Sequence, residues 1–149
     1  MAKVFQNIVI ATDGSSCSNT AVKLGSELAA QFGAKTTLVY VFEPIKYALP
    51  EGYVPYTAEQ LMEMTEHFEQ MLRSSKDAAL SYGAPSVETR LLQGVPSEEV
   101  CDFANREGAD LIVVGTHGRG LVGRMLLGSV AEKIVRSAPV PVLTVREPA

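Results

Sequence analysis

Five short runs along the chain are rich in apolar and β-branched residues, most of them nearly continuous: Asn7 to Ala11, Thr36 to Val41, Val87 to Leu92, Leu111 to Val114 and Val140 to Val145. Between them lie longer stretches in which apolar residues recur every three or four positions. A strand that is apolar throughout is buried on both faces. Such strands alternating with amphipathic helices are the signature of βα units that build a parallel sheet with helices on both sides. Val87 to Leu92 alternates more than the others and is predicted to lie at an edge.

The helices carry their own start and stop signals. The first is predicted from about Ser16 to Phe32, with Ala21, Leu24, Leu28 and Phe32 along one face and Gly33 as its left-handed stop. Thr57 followed by Gln60 is a capping-box pattern that opens a second helix, whose apolar face carries Leu61, Met64, Phe68 and Leu72 and which ends at Gly83 and Pro85. Pro96, with Glu98 and Glu99 close behind, marks a third helix through Asn105, closed by Gly108. Ser129 to Arg136 gives a fourth, stopped before Pro139. Glu43 to Pro55 holds three prolines, a glycine and two tyrosines without clear period. It reads as a long loop over a strand end, of the kind that shapes a site.

Composition narrows the picture. A chain of 149 residues is near the commonest domain size, so residues 1–149 are expected to form one domain. With 46% hydrophobic and 20% charged residues it is too balanced for disorder. Its longest apolar runs fall far short of the roughly 20 residues that span a bilayer, so no membrane segment is expected. The N-terminus lacks the basic and long apolar regions of a secretory signal and reads as the start of the first strand. Cys17 and Cys101 form no C-x-x-C pair, and with two histidines there is no zinc-ligand spacing, which fits a reducing, cytoplasmic setting. A formal charge of −4 argues against a nucleic-acid partner. Any anion must be held locally.

The segment from Leu111 to Arg136 offers the place. It passes from a buried strand through a glycine-rich turn into a helix that begins near Ser129. Glycines let backbone N–H groups approach a phosphate without a Cβ in the way, and a helix N-terminus adds unpaired donors with partial positive charge. A side chain at Gly128 would intrude on a phosphate, or force a backbone conformation that β-branched residues resist. In an open parallel sheet the ligand lies beyond the carboxyl ends of the strands, where Asp13 and Gly115 both fall.

Gly115, Gly118 after two residues, then Gly128 and Ser129 after nine more, resemble the nucleotide motif of the universal stress protein family at all four positions. The likeness extends to the opening NIVIATDGS, to Pro96–Gly108 followed by ADLIVVGTHG, and to the closing PVPVLTVR. The resemblance implies a Rossmann-like α/β fold: one open five-stranded parallel sheet in the order 3-2-1-4-5, with about four helices on its two faces. It implies an ATP-binding, cytoplasmic stress-response or regulatory protein, with the nucleotide spread across the switch between the first and fourth strands. By position, Asp13 would lie near ribose and a Mg or Mn ion, and the backbone of Val41 would meet adenine. Gly115 would lie against ribose, while Gly118, Gly128 and Ser129 would hold phosphates. The resemblance also implies a homodimer through the last strand.

Other readings of the same residues stay open. Gly118 to Gly123 satisfies G-x-G-x-x-G, but that fingerprint belongs on the first βα turn of a larger sheet. The stretch has a P-loop's glycine spacing, yet Arg124 and Met125 stand where lysine and Ser/Thr are needed. Arg119 and Arg124 suit phosphate charge or simple solvation. Asp13 taken alone could cap the first helix and tighten a turn. A slow Mg-dependent ATP hydrolase or phosphotransferase would use Asp13 or His117 to orient water or accept phosphate. A domain that keeps the glycines but acts only by protein contacts is the third possibility. No base, thiol or triad signature accompanies His117, so binding is expected to exceed catalysis.

Overall fold

The computed structural model describes residues 4–43, 47–49, 52–117 and 127–147. In chain order they form β1 (Asn7–Ala11), α1 (Ser16–Phe32), β2 (Lys35–Phe42), β3 (Tyr47–Leu49), β4 (Gly52–Val54), α2 (Ala58–Ser81), β5 (Ser86–Gln93), α3 (Pro96–Arg106), β6 (Leu111–Gly115), α4 (Ser129–Ser137) and β7 (Val142–Val145). Five of these strands make one parallel sheet in the order β5-β2-β1-β6-β7. Numbered among themselves, they stand in the order 3-2-1-4-5, with the alternating third strand at an edge.

Side chains alternate across a strand, and on β1 that alternation divides the core. Ile8 and Ile10 point into the layer beneath α1 and α2, with Leu38, Leu72 and Val113. Val9 points the other way, into the layer beneath α3 and α4, with Val39, Phe103, Ile112 and Ile134. Ile8, Val9 and Ile10 are all fully buried, which is why the run reads as continuously apolar.

The helix boundaries follow their caps. The Ser15 hydroxyl accepts from the Ser18 N–H at 3.2 Å at the start of α1, and Gly33 closes that helix at φ 66°. Thr57 and Gln60 make the reciprocal capping box of α2, at 3.1 and 2.9 Å. Pro96 occupies the first turn of α3.

Two expectations fail in detail. Leu24 is exposed, because the buried face of α1 is carried by small residues, Ala21, Val22, Gly25, Ser26 and Ala29. The helix lies so close to the sheet that a Cβ on Gly25 would stand 2.5 Å from Ile10 Cδ1. The stretch predicted as loop from Glu43 to Pro55 contains an antiparallel pair, Tyr47–Leu49 against Gly52–Val54. Strands of three residues are too short to show a period.

Cys17 and Cys101 are both buried and unbonded to each other. Burial, and after it the Asp102 carboxylate, pushes the Cys101 thiol above its ordinary pKa. Among the described residues no helix is long and apolar enough to cross a membrane.

Candidate functional site

The chain leaves β1 for β2 on one side of the sheet, while the later strands β6 and β7 add on the other. At that reversal the connections diverge and leave a crevice beyond the carboxyl ends of the strands. Here it is a cleft of about 650 Å³ between the ends of β1, β2 and β6 and the starts of α1, α3 and α4. Asp13, Val41, Gly115, Gly128 and Ser129 all line it. Gly118 lies outside the described residues, as do Gly120, Gly123 and both arginines of the turn, Arg119 and Arg124.

Past β1 the backbone turns through a small polar cluster. The Thr12 N–H donates to the Val39 carbonyl at 2.9 Å, the last link between β1 and β2. The Thr12 and Ser18 hydroxyls lie 3.1 Å apart. Asp13 Oδ1 accepts from the Ser15 N–H at 2.9 Å, so this carboxylate tightens the turn while Ser15, not Asp13, caps α1.

Two motif glycines differ in what constrains them. At Gly115 a Cβ would lie 3.1 Å from the carbonyl carbon, carbonyl oxygen and Sγ of Cys17, so the missing side chain lets β6 pass beneath the first turn of α1. Cys17 is a packing residue there, its Sγ 3.6 Å from the Val145 carbonyl and 3.7 Å from Thr116 Oγ1. Gly128 has φ −71° and ψ 164°, a conformation open to any residue. The expectation that its backbone resists a β-branched side chain is therefore wrong. Its N–H donates to the Thr116 carbonyl, joining the start of α4 to the end of β6. Gly128, the N-cap residue of α4, offers no side-chain cap, and the first turn of the helix, Ser129 to Ala131, lines the cleft.

Val41 owes its position to register. In a parallel strand successive peptide groups face opposite neighbours. The Val39 carbonyl faces β1 and takes the Thr12 N–H, while the Phe42 carbonyl faces the other way and takes the Gly94 N–H. Val41 therefore directs its N–H and C=O toward β1, whose pairing with β2 ended at Ala11 and Val39. A donor and an acceptor thus point into the cleft where no strand continues.

The charges of the described lining are one-sided. Asp13 and Glu43 are acidic, and His117, half-buried with Nδ1 3.1 Å from Thr116 Oγ1, is the neighbouring imidazole. Among the described residues no group of three or more His, Cys, Asp or Glu could hold a metal. Within the described lining, an anion depends on backbone donors or on a cation that it brings.

Sequence reasoning overlooked one wall of the cleft. Tyr40, Phe42, Tyr56, Met64 and Phe68 line it, and the Phe68 ring packs at a tilt against Tyr40 and Phe42, with centroids 4.6 and 5.4 Å away. Phe68 was expected simply on the apolar face of α2. The available signal was a pair of aromatic residues, Tyr40 and Phe42, ending a strand otherwise built of small and branched side chains.

A family model described as the universal stress protein family matches residues 5–146. The chain belongs to the universal stress protein family. A curated relative, a universal stress protein of Methanocaldococcus jannaschii, is 38% identical over 147 residues, covering 97% of this chain and 84% of its own. Among solved structures, a universal stress protein from Lactobacillus plantarum superposes with TM-score 0.82 at 25% identity, covering 98% of this chain and 100% of that one. A universal stress protein crystallised in complex with cAMP is 28% identical with TM-score 0.75, over 97% and 98% of the two chains. The family's fold is thus the fold described above.

Proposed function

We propose that this member of the family is a cytoplasmic regulatory, stress-response module that binds ATP or a closely related adenine nucleotide in the cleft between β1 and β6. One observation carries the reading: five residues from four separate parts of the chain, Asp13, Val41, Gly115 and the adjacent Gly128 and Ser129, converge on a single cleft at the topological switch. The 28%-identical relative in complex with cAMP supports an adenine nucleotide as the ligand. In this reading the Val41 peptide meets the base and Asp13 and Gly115 flank the ribose. Gly118, Ser129 and the start of α4 receive the phosphates, and Gly128, whose own N–H is taken by the Thr116 carbonyl, leaves room for them to approach.

The acidic lining calls for a divalent cation. Mg²⁺ is commonly held by one or two carboxylates together with substrate phosphates and water, so Asp13 alone fits Mg or Mn shared with the nucleotide. Such an ion would neutralise phosphate charge beside Asp13 and Glu43. Slow hydrolysis or phosphotransfer is a second reading, favoured by Asp13 and His117 lining the same cleft. Binding is preferred because Asp13 Oδ1 is committed to the Ser15 N–H. A homodimer through β7 completes the proposal.

Mass spectrometry of the undialysed protein should find copurified ATP, and calorimetric titration of the stripped protein should give saturable Mg-ATP binding. Turnover should stay below about one per second, the lower end of ordinary enzyme rates. Absence of binding overturns the reading. Faster hydrolysis that is lost in Asp13→Asn replaces it with the enzymatic one.

A further inference from the structure

From this cleft we infer that Phe68 on α2 is the residue that stacks on the base of the bound nucleotide and so sets the site's selectivity for a nucleobase. The inference rests on the nucleotide reading and assigns a residue that the glycine motif does not contain.

Two independent observations meet at Phe68. The first is the direction of the Val41 peptide, whose N–H and C=O point into the space that β1 vacates. A flat base hydrogen-bonded there continues the sheet in the position of a missing strand. Its two faces then confront the two helical layers. The second observation is what those layers present. On the α3 side the lining is aliphatic, Pro96 and Val100. On the α2 side it is aromatic, Phe68 with Tyr40 and Phe42 behind it.

The packing of α2 gives the same residue its exposure. The buried residues of this helix are Leu72, Ser75 and Ala79, all in its C-terminal half. Before Leu72 the helix has no fully buried residue, and Met64 and Phe68 are half-buried against the cleft. Phe68 therefore keeps part of its apolar surface accessible where it lines the cleft, and a base covers it. Stacking of this kind needs only a π-face, so it distinguishes a nucleotide from a bare polyphosphate rather than one base from another.

The test is a pair of titrations, Mg-ATP and Mg-tripolyphosphate, on the parent protein, Phe68→Leu and Phe68→Trp. Phe68→Leu keeps an apolar side chain against Tyr40 and Phe42 while removing the aromatic face. It should weaken ATP about tenfold, within the range for loss of one base–aromatic stack, and leave tripolyphosphate within about twofold. Phe68→Trp should restore ATP to within about threefold of the parent. Hydrogen exchange gives a second readout: ATP should slow the amides of residues 60–70 in the parent and much less in Phe68→Leu. If Phe68→Leu binds ATP like the parent, or loses ATP and tripolyphosphate equally, Phe68 is a packing residue and the inference is wrong. A parent protein that binds neither probe overturns the nucleotide reading itself, and the inference with it.

Discussion

At the scale of single residues, the same motif contains glycines that answer to different physics. Gly115 answers to the packing of the fold: a methyl group there meets the Cys17 backbone at 3.1 Å, so β6 or the first turn of α1 must give by a few tenths of an ångström. Gly115→Ala should therefore cost roughly 1–3 kcal/mol, the usual range for overpacking, measured by urea unfolding without any ligand. Gly128 has an ordinary extended backbone, and under the proposed function it answers to the ligand. Gly128→Val should remove measurable Mg-ATP binding while costing the fold only about 1 kcal/mol through a poorer N-cap. Ser129→Ala, which keeps the backbone donors, should weaken binding by about 1 kcal/mol. Calorimetry on variants shown folded by circular dichroism checks the ranking. The spacing of these residues was legible in the sequence because the glycine motif is local. The packing reason at Gly115 was not, since it depends on a contact across 98 positions of chain between Cys17 and Gly115. Phe68 was hidden for the related reason that core and cleft residues look alike on a helical wheel.

At the scale of elements, legibility followed length and burial. The inner strands β1 and β6 announce themselves because burial on two faces leaves almost no polar positions, the edge strand β5 shows instead by its alternation, and α1 runs over the range its caps predict, Ser16 to Phe32. The β3–β4 pair escaped because three residues carry no period. Helix α2 shows how a cap works where packing is thin. Its first half contains no fully buried residue, so the reciprocal bonds of Thr57 and Gln60 are a large part of what holds that end. Thr57→Ala should cost about 1 kcal/mol, in the range for loss of an N-cap. The loss should appear in hydrogen exchange as faster opening of the first two turns of α2, with the sheet amides changed far less. Equal acceleration throughout the sheet would mean that this half-helix is not a separately opening unit.

At the scale of the whole molecule, the order of the strands was not readable from periodicity at all. Period reports which face is buried, whereas neighbour order depends on contacts between distant segments; here it came through family likeness. The finished sheet has two edges that differ in kind. The β5 edge carries Glu88, which pairs with Lys35 and Arg90 at 3.3 Å on the surface. Such exposed pairs add little stability, but charge on an edge strand discourages pairing with another chain. The β7 edge is different. Ile112 donates to the Pro141 carbonyl and Thr116 to the Val145 carbonyl, so the alternation turns the peptide groups of Val142 and Thr144 outward. That edge reads VLTV, without a charge, and neighbouring α4 exposes Val130 and Val135. An unpaired apolar edge flanked by exposed valines is a template for a second copy of the chain, related by a twofold axis. Under the proposed homodimer, sedimentation velocity at micromolar concentration should show a dimer. Val142→Lys, which places a charge on the pairing edge, should shift it toward monomer while circular dichroism stays unchanged. A parent protein that sediments only as monomer would mean that β7 is left open and that the nucleotide site works within one chain.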